Sequence, residues 1–177
     1  AINKVEDLEG LKLRVIPNPI NVDWVKALGA NPTPLPFPEV YAALEQKAID
    51  GQENPLTVIN ANKFYEVQKH LVLSNHQYNP QSVLISKKFW DKLDASEKKI
   101  VADAAKESAK HQRNYNRGQT AGALANLKKG GMQVTELPAA ELGKLRVKLR
   151  PVTAKYAVNV GQETVKELQT ELAKVRK

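Results

Sequence analysis

The residues best suited to binding chemistry are Arg14 and the run Asp50-Gly51-Gln52-Glu53-Asn54-Pro55. Asn before Pro is typical of a helix start, because the Asn side chain accepts from a free backbone N–H and Pro at the first helical position gives up no needed donor. We therefore predict a helix capped by Asn54. Arg14 opposite that helix N-terminus would form a cradle for a carboxylate, since the guanidinium forks onto both oxygens. A capped helix without a ligand is the alternative.

Short strands and helices alternate around these residues. Residues 11–16 alternate as a strand that places Arg14 on one face with Lys12 and Ile16, and an exposed Arg is the simpler alternative there. A helix over 21–28, an extended piece over 33–37 and a helix opened by Pro38 follow. This order predicts an α/β fold with a mostly parallel sheet, whose ligands bind beyond the carboxyl ends of the strands.

Three candidate residues come at or just after predicted strand ends, namely Arg14, Phe37 and Asn54. The strand before Asn54 is very short, and a helix runs from Asn54 to about residue 62. Phe37 also fits an ordinary place in the core, which is the commoner fate of a single Phe.

The second half is predicted to be mainly helical. Strands at 70–75 and 81–86 precede Asp94 and Glu97, which have the spacing of a capping box and open a helix that reaches about residue 129. Gly118 and Gly122 weaken its middle and predict a kink or a break there. A short strand over 132–136, a helix over 138–150, an interruption at Pro151 and a last helix complete the chain.

Composition limits the possible functions of this 177-residue chain, which has a net charge of +8. Residues 1–86 carry seven Lys and Arg against nine Asp and Glu, whereas 87–177 carry twenty against ten. The basic excess lies in helical sequence with interleaved acids and few aromatic residues, which indicates solvated helix faces and no nucleic-acid partner. No apolar run approaches the roughly 20 residues of a membrane span. No secretory signal opens the chain, so it is either not exported or already processed.

No pattern of catalytic or metal-binding residues is present in the sequence. It has no cysteine, and His70, His76 and His111 lack the spacing of metal ligands. A Gly-rich phosphate loop and a nucleophile elbow are also missing. We therefore predict a non-enzyme without a cofactor or a metal.

Five sequence blocks, in order and spacing, resemble the extracytoplasmic solute-binding proteins of TRAP transporters, the DctP type. They cover 11–15, 27–32, 36–44, 49–55 and 63–69. The resemblance implies a periplasmic-binding-protein-like lobe that captures an organic acid in the periplasm and delivers it to a TRAP membrane permease. The acid would be a C4-dicarboxylate or a related organic or sugar acid. This is a transport function and not an enzymatic one.

The same resemblance implies roles for individual residues. Arg14 matches the arginine that pairs with the substrate carboxylate, Asn54 matches the asparagine that hydrogen-bonds the ligand, and Phe37 matches an aromatic residue of the cleft wall. Asn18 is the fourth predicted ligand residue.

The resemblance also implies a division of the chain, with 1–76 as the second, ligand-binding lobe. Residues 77–177 would supply a crossover strand, a long hinge helix and C-terminal helices that complete the first lobe. The chain is then expected to be a C-terminal fragment that lacks most of the first lobe and binds ligand weakly. The surface left open would be covered by a second copy, as a homo-oligomer, or by another polypeptide. One alternative is a truncated copy without high-affinity ligand binding, an interaction or structural module whose long basic helix self-associates or contacts anionic polymers. Another alternative is an enzyme of small α/β form.

Overall fold

The fold consists of short strands and helices followed by three long helices, in a computed structural model that describes residues 1–175. The strands are β1 (Lys12–Val15), β2 (Asn31–Pro34), β3 (Gly51–Gln52), β4 (His70–Leu73) and β5 (Gln133–Glu136). The helices are α1 (Pro19–Ala27), α2 (Val40–Glu45), α3 (Leu56–Ala61), α4 (Lys87–Trp90), α5 (Ala95–Lys129), α6 (Ala139–Val160) and α7 (Gln162–Val175). Short 3-10 turns span Val5–Leu8, Phe37–Glu39 and Phe64–Glu66. No helix in residues 1–175 is both long enough and apolar enough to cross a membrane.

Every strand pairing among residues 1–175 is parallel, which confirms the predicted α/β class. One sheet has the order β2-β1-β3, and Arg14 of β1 lies opposite Thr33 on one side and Gln52 on the other. A second sheet pairs β4 with β5, with Leu71 opposite Val134. The carboxyl ends of β1, β2 and β3 therefore meet at one edge, where the loops that follow can form a site.

The largest hydrophobic core joins the first half of the chain to the end of α5. Phe64 and Leu127 are both almost completely buried, and they share one cluster with Leu71 and Met132. Because α3 packs against α5 and β4 pairs with β5, residues on both sides of position 76 build this core together. The proposed division into 1–76 and 77–177 stays a prediction.

Helix α6 lies against α1 and is held there by apolar and polar contacts. Leu145 of α6 is buried with Leu28, which directly follows α1. Further along α6, Tyr156 Oη and Lys155 Nζ donate to Asp23 Oδ2 of α1 at 2.9 and 2.7 Å. These two hydrogen bonds lower the pKa of the Asp23 carboxyl from its ordinary value. The helix is therefore anchored at both ends of its contact with α1.

Three predictions about the second half are wrong. Residues 81–86 form no strand and are exposed, because no other described segment supplies them with a hydrogen-bonding neighbour. Helix α5 runs without a break through Gly118 and Gly122, where good helix formers on both sides outweigh the glycines. Helix α6 continues through Pro151 to Val160 and is followed by Gly161, whose φ of 103° suits glycine. The anchoring of α6 before and after Pro151 explains why the helix tolerates one missing hydrogen bond.

Candidate functional site

A cavity of about 630 Å³ opens beside the carboxyl ends of β1, β3 and β4. Its polar lining comes mainly from β1, from the loop after β3 and from the segment after β4. The polar residues relevant to ligand binding are Arg14, Gln52, Glu53, Asn54, Ser74 and His76. The fold thus brings Arg14 and Asn54 to one cavity, forty positions apart in sequence.

Arg14 is buried, with only 3% of its surface exposed. The next residue, Val15, is fully buried as well, so the carboxyl end of β1 is covered on both faces. This is the situation of a central parallel strand, which β1 is because it lies between β2 and β3. The alternative of an exposed Arg on an alternating strand is therefore wrong.

The guanidinium of Arg14 is fixed by two neighbours that follow β2. Its Nε donates to the Leu35 carbonyl oxygen at 2.8 Å, and its Cζ lies 5.9 Å from the centre of the Phe37 ring. Burial lowers the pKa of Arg14, and the negative charge of Glu53 acts in the opposite direction. No ion pair involves Arg14 among residues 1–175, and none of its nitrogen atoms is buried without a hydrogen-bond partner. The terminal nitrogens therefore remain accessible for a ligand.

Asn54 does not cap helix α3, contrary to the prediction. Pro55 takes the cap position with an extended ψ of 148°, so the helix begins one residue later, at Leu56. The Asn54 side chain turns to its own loop, where Nδ2 donates to Gln52 Oε1 at 2.6 Å. The Asn54 amide therefore does not cap α3 and instead forms part of the polar lining of the cavity.

Sequence reasoning missed a polar group on the far side of this loop. Glu53 Oε2 lies 3.7 Å from His76 Nε2, and the other ring nitrogen, Nδ1, lies 2.7 Å from Ser74 Oγ. The Trp24 ring packs against the imidazole with 5.2 Å between ring centroids. The sequence did hold a signal for this group, because Ser74 and His76 come just after β4 and site residues were expected at strand ends.

Phe37 and Asn18 do not line the cavity. Phe37 begins a 3-10 turn, is 37% exposed and packs on Phe64 with ring centroids 6.1 Å apart, while its face supports Arg14. Asn18 caps α1, where its Oδ1 accepts from Ile20 N at 3.1 Å. The ligand-binding roles of Arg14, Asn54, Phe37 and Asn18 all stay predictions.

The described residues contain no group of three or more His, Asp or Glu side chains placed to hold a metal ion. The cavity instead combines one buried cation with amide, hydroxyl and carboxylate groups. Such a lining suits a small polar molecule that carries a negative charge and hydrogen-bonding groups.

Comparisons with known proteins agree on one family. The family model for bacterial extracellular solute-binding proteins, family 7 (DctP), matches residues 1–159. The sialic acid-binding periplasmic protein SiaP of Vibrio cholerae is 39% identical over 167 residues, which cover 94% of this chain and 51% of SiaP.

Two solved structures have the same fold over almost the whole chain. A TRAP periplasmic solute-binding protein from Ochrobactrum anthropi, with its C-terminus bound in the ligand-binding pocket, is 51% identical with a TM-score of 0.87. The sugar acid-binding protein DctPAm from Advenella mimigardefordensis, in complex with galactonate, is 42% identical with a TM-score of 0.92. Each match covers 99% of this chain and 55% or 56% of the other.

The chain thus spans about half the length of the relatives it matches. These relatives are solute-binding proteins of transport systems and not enzymes. The matched residues include both β1 with Arg14 and the loop with Asn54. The chain belongs to the bacterial extracellular solute-binding proteins of family 7, the DctP family.

Proposed function

We propose that this chain forms the carboxylate-binding part of a periplasmic solute-binding protein, which delivers an organic acid to a TRAP membrane permease. The ligand enters the cavity beside β1 and β3, and its carboxylate pairs with Arg14. A C4-dicarboxylate or a related organic or sugar acid is the ligand class. The family and the names of its relatives support this assignment, because sialic acid and galactonate are both carboxylic acids.

One observation carries the proposal, namely that Arg14 is a buried cation that forms no ion pair within residues 1–175. A buried charge without an ion pair is costly, and burial lowers the pKa of Arg14 although the negative charge of Glu53 acts in the opposite direction. A ligand carboxylate supplies the missing ion-pair partner. Because Leu35 and Phe37 already fix the guanidinium, little conformational freedom is lost on binding.

The other polar groups of the cavity suit the rest of an organic acid. The amide of Asn54, held by Gln52, offers hydrogen-bonding capacity next to the carboxylate position. Glu53 accepts from hydroxyl groups, which sugar acids carry. The alternative of a self-associating module gains no support from the family or from the relatives described above.

A thermal-shift experiment on this chain tests the proposal. Galactonate, sialic acid and succinate serve as probes, and neutral galactose is the control ligand. A ligand at about 100 times its Kd stabilises the fold by about 2.7 kcal/mol, which raises the Tm by about 5–10 °C for a domain of this size. At least one acid should raise the Tm, and galactose should not.

The variants Arg14→Ala and Lys12→Gln locate the site. Lys12 is exposed on the same strand, so its variant removes one positive charge away from the cavity and should keep the response. Hydrogen bonds to charged groups contribute about 1.5–3 kcal/mol each, so Arg14→Ala should lose affinity on the order of 100-fold or more. An Arg14→Ala protein that is folded by circular dichroism and responds like the parent would overturn the proposal. No response of the parent to any acid would overturn it as well.

A further inference from the structure

Helix α5 carries a straight row of cations on one side. The row consists of Lys99, Lys106, Lys110, Arg113 and Arg117. With 3.6 residues per turn these five positions fall within an arc of roughly 60°, and with 1.5 Å per residue the row is about 27 Å long. We call it the basic stripe. All five residues are exposed.

Acidic neighbours neutralise only the beginning of the basic stripe. Asp103 forms ion pairs with Lys99 and with Lys106, each one turn away along the helix. Lys110, Arg113 and Arg117 form no ion pair with any residue in 1–175. The second half of the stripe therefore presents three uncompensated positive charges in a row.

The stripe is on a different side of α5 from the residues that pack against the rest of the molecule. Half-buried Val101, Ala105 and Ala109 and buried Ala123 and Leu127 follow helical spacing and mark the packed side. The centre of that side is rotated about 110° from the stripe on the helix axis. Burial of the packed side thus leaves the basic stripe in solvent.

We propose that the basic stripe docks this protein on an anionic membrane surface. A row of Lys and Arg along one helix face fits an extended, planar array of negative charges, and such clusters are typical of contacts with anionic lipid headgroups. Exposed Tyr115 lies between Arg113 and Arg117 in sequence but on the opposite side of the helix. The stripe itself therefore lacks the aromatic side chains on which the bases of single-stranded nucleic acids stack. The expectation that the protein works beside a membrane rests on the proposed function. The position and charge of the basic stripe do not depend on it. Docking would hold the protein close to its membrane partner.

Co-sedimentation with lipid vesicles tests this proposal on the intact chain. The parent should bind vesicles that contain phosphatidylglycerol and should not bind vesicles of phosphatidylcholine alone. Binding should disappear at 1 M salt, where the screening length falls to about 3 Å from about 8 Å at physiological ionic strength. Binding to neutral vesicles, or binding that persists at 1 M salt, would assign the contact to exposed apolar residues such as Leu84 and would overturn the proposal.

Matched charge variants locate the contact. Each cation near an anionic surface contributes about fivefold to binding, so Lys110→Gln, Arg113→Gln and Arg117→Gln together should weaken it on the order of 100-fold. The single Arg113→Gln variant should weaken it about fivefold. Gln keeps the helix propensity of Lys and Arg, so α5 should remain folded in both variants.

The control removes three exposed charges from α6, by Arg146→Gln, Lys148→Gln and Arg150→Gln. This α6 variant should bind vesicles like the parent. If both triple variants lost the same amount of vesicle binding, net charge alone would explain the binding, and the proposal would be overturned. A short DNA duplex that binds as tightly as the vesicles would overturn it too. Arg14→Ala should bind vesicles like the parent, so a failure of acid binding is separable from a failure of docking.

Discussion

Replacement of Leu127 by Ala tests whether the end of α5 belongs to the same cooperative unit as the first half of the chain. Leu127 is fully buried against a core that includes Phe64, Leu71 and Met132. Truncation of a buried Leu costs about 2–5 kcal/mol, because transfer free energy is lost and a cavity is left. Complete burial on a helix that is fixed at this end by β5 leaves little room for collapse, so we expect about 3 kcal/mol.

That loss should lower the Tm by about 6–12 °C, since 1 kcal/mol corresponds to about 2–4 °C for a domain of this size. Thermal unfolding followed by far-ultraviolet circular dichroism and by Trp fluorescence measures it. Trp24 and Trp90 are the two tryptophans of the chain, so the measurement uses a Trp90→Phe background in which Trp24 alone reports. The two signals should then shift together, because Trp24 lies in the first half of the chain and most of the helical signal comes from the second.

Leu168→Ala is the control for this experiment. Leu168 lies on α7 and is 57% exposed, so its truncation should change the stability by less than about 0.5 kcal/mol. Equal small shifts in both variants would refute the packing of Leu127 described above. A Leu127→Ala protein in which the helical signal shifts and the Trp signal does not would refute the single cooperative unit.

Two further predictions concern helices α5 and α6. Gly118→Ala should stabilise the protein by about 1 kcal/mol in urea unfolding, because an added Cβ meets nothing within 4 Å and Ala favours the helix; a loss of stability would contradict the unbroken α5. The pKa of Asp23 lies below its ordinary value of 3.8 because Lys155 and Tyr156 donate to it. Its contribution to stability is therefore present above pH 3.8 and is lost as the pH falls through the lowered pKa. Asp23→Asn should remove that part of the acid-unfolding curve, measured by Trp24 fluorescence in the same Trp90→Phe background, and an unchanged curve would refute the contact between α1 and α6.

Sequence patterns predicted correctly those helices and strands whose ends are determined by neighbouring residues. The capping box at the start of α5 is confirmed, since Glu97 N donates to Asp94 Oδ1 at 2.8 Å and Asp94 N to Glu97 Oε2 at 2.9 Å. The alternation of 11–16 and the breakers around it likewise gave β1 close to its observed bounds. In these segments a few adjacent residues determine the structure.

The errors concern segments that depend on distant contacts. Pro151 did not end α6, because Leu149 before it and Tyr156 after it are held against α1 and its surroundings. Burial of Arg14 was not predictable from alternation, since it results from strands on both sides of β1. The position of His76 next to Glu53 also depends on how β4 lies relative to the loop after β3.

The arrangement of β4 and β5 has a consequence for proteolysis. The two strands pair directly, although the exposed segment 77–86 and helix α5 lie between them in sequence. Exposed segments without regular structure are the preferred sites of proteolytic cleavage. A cut in this segment would break the covalent chain but would leave both pieces joined through one sheet and one hydrophobic core. The nicked protein would therefore run as two bands on a denaturing gel and elute as one species from a gel-filtration column.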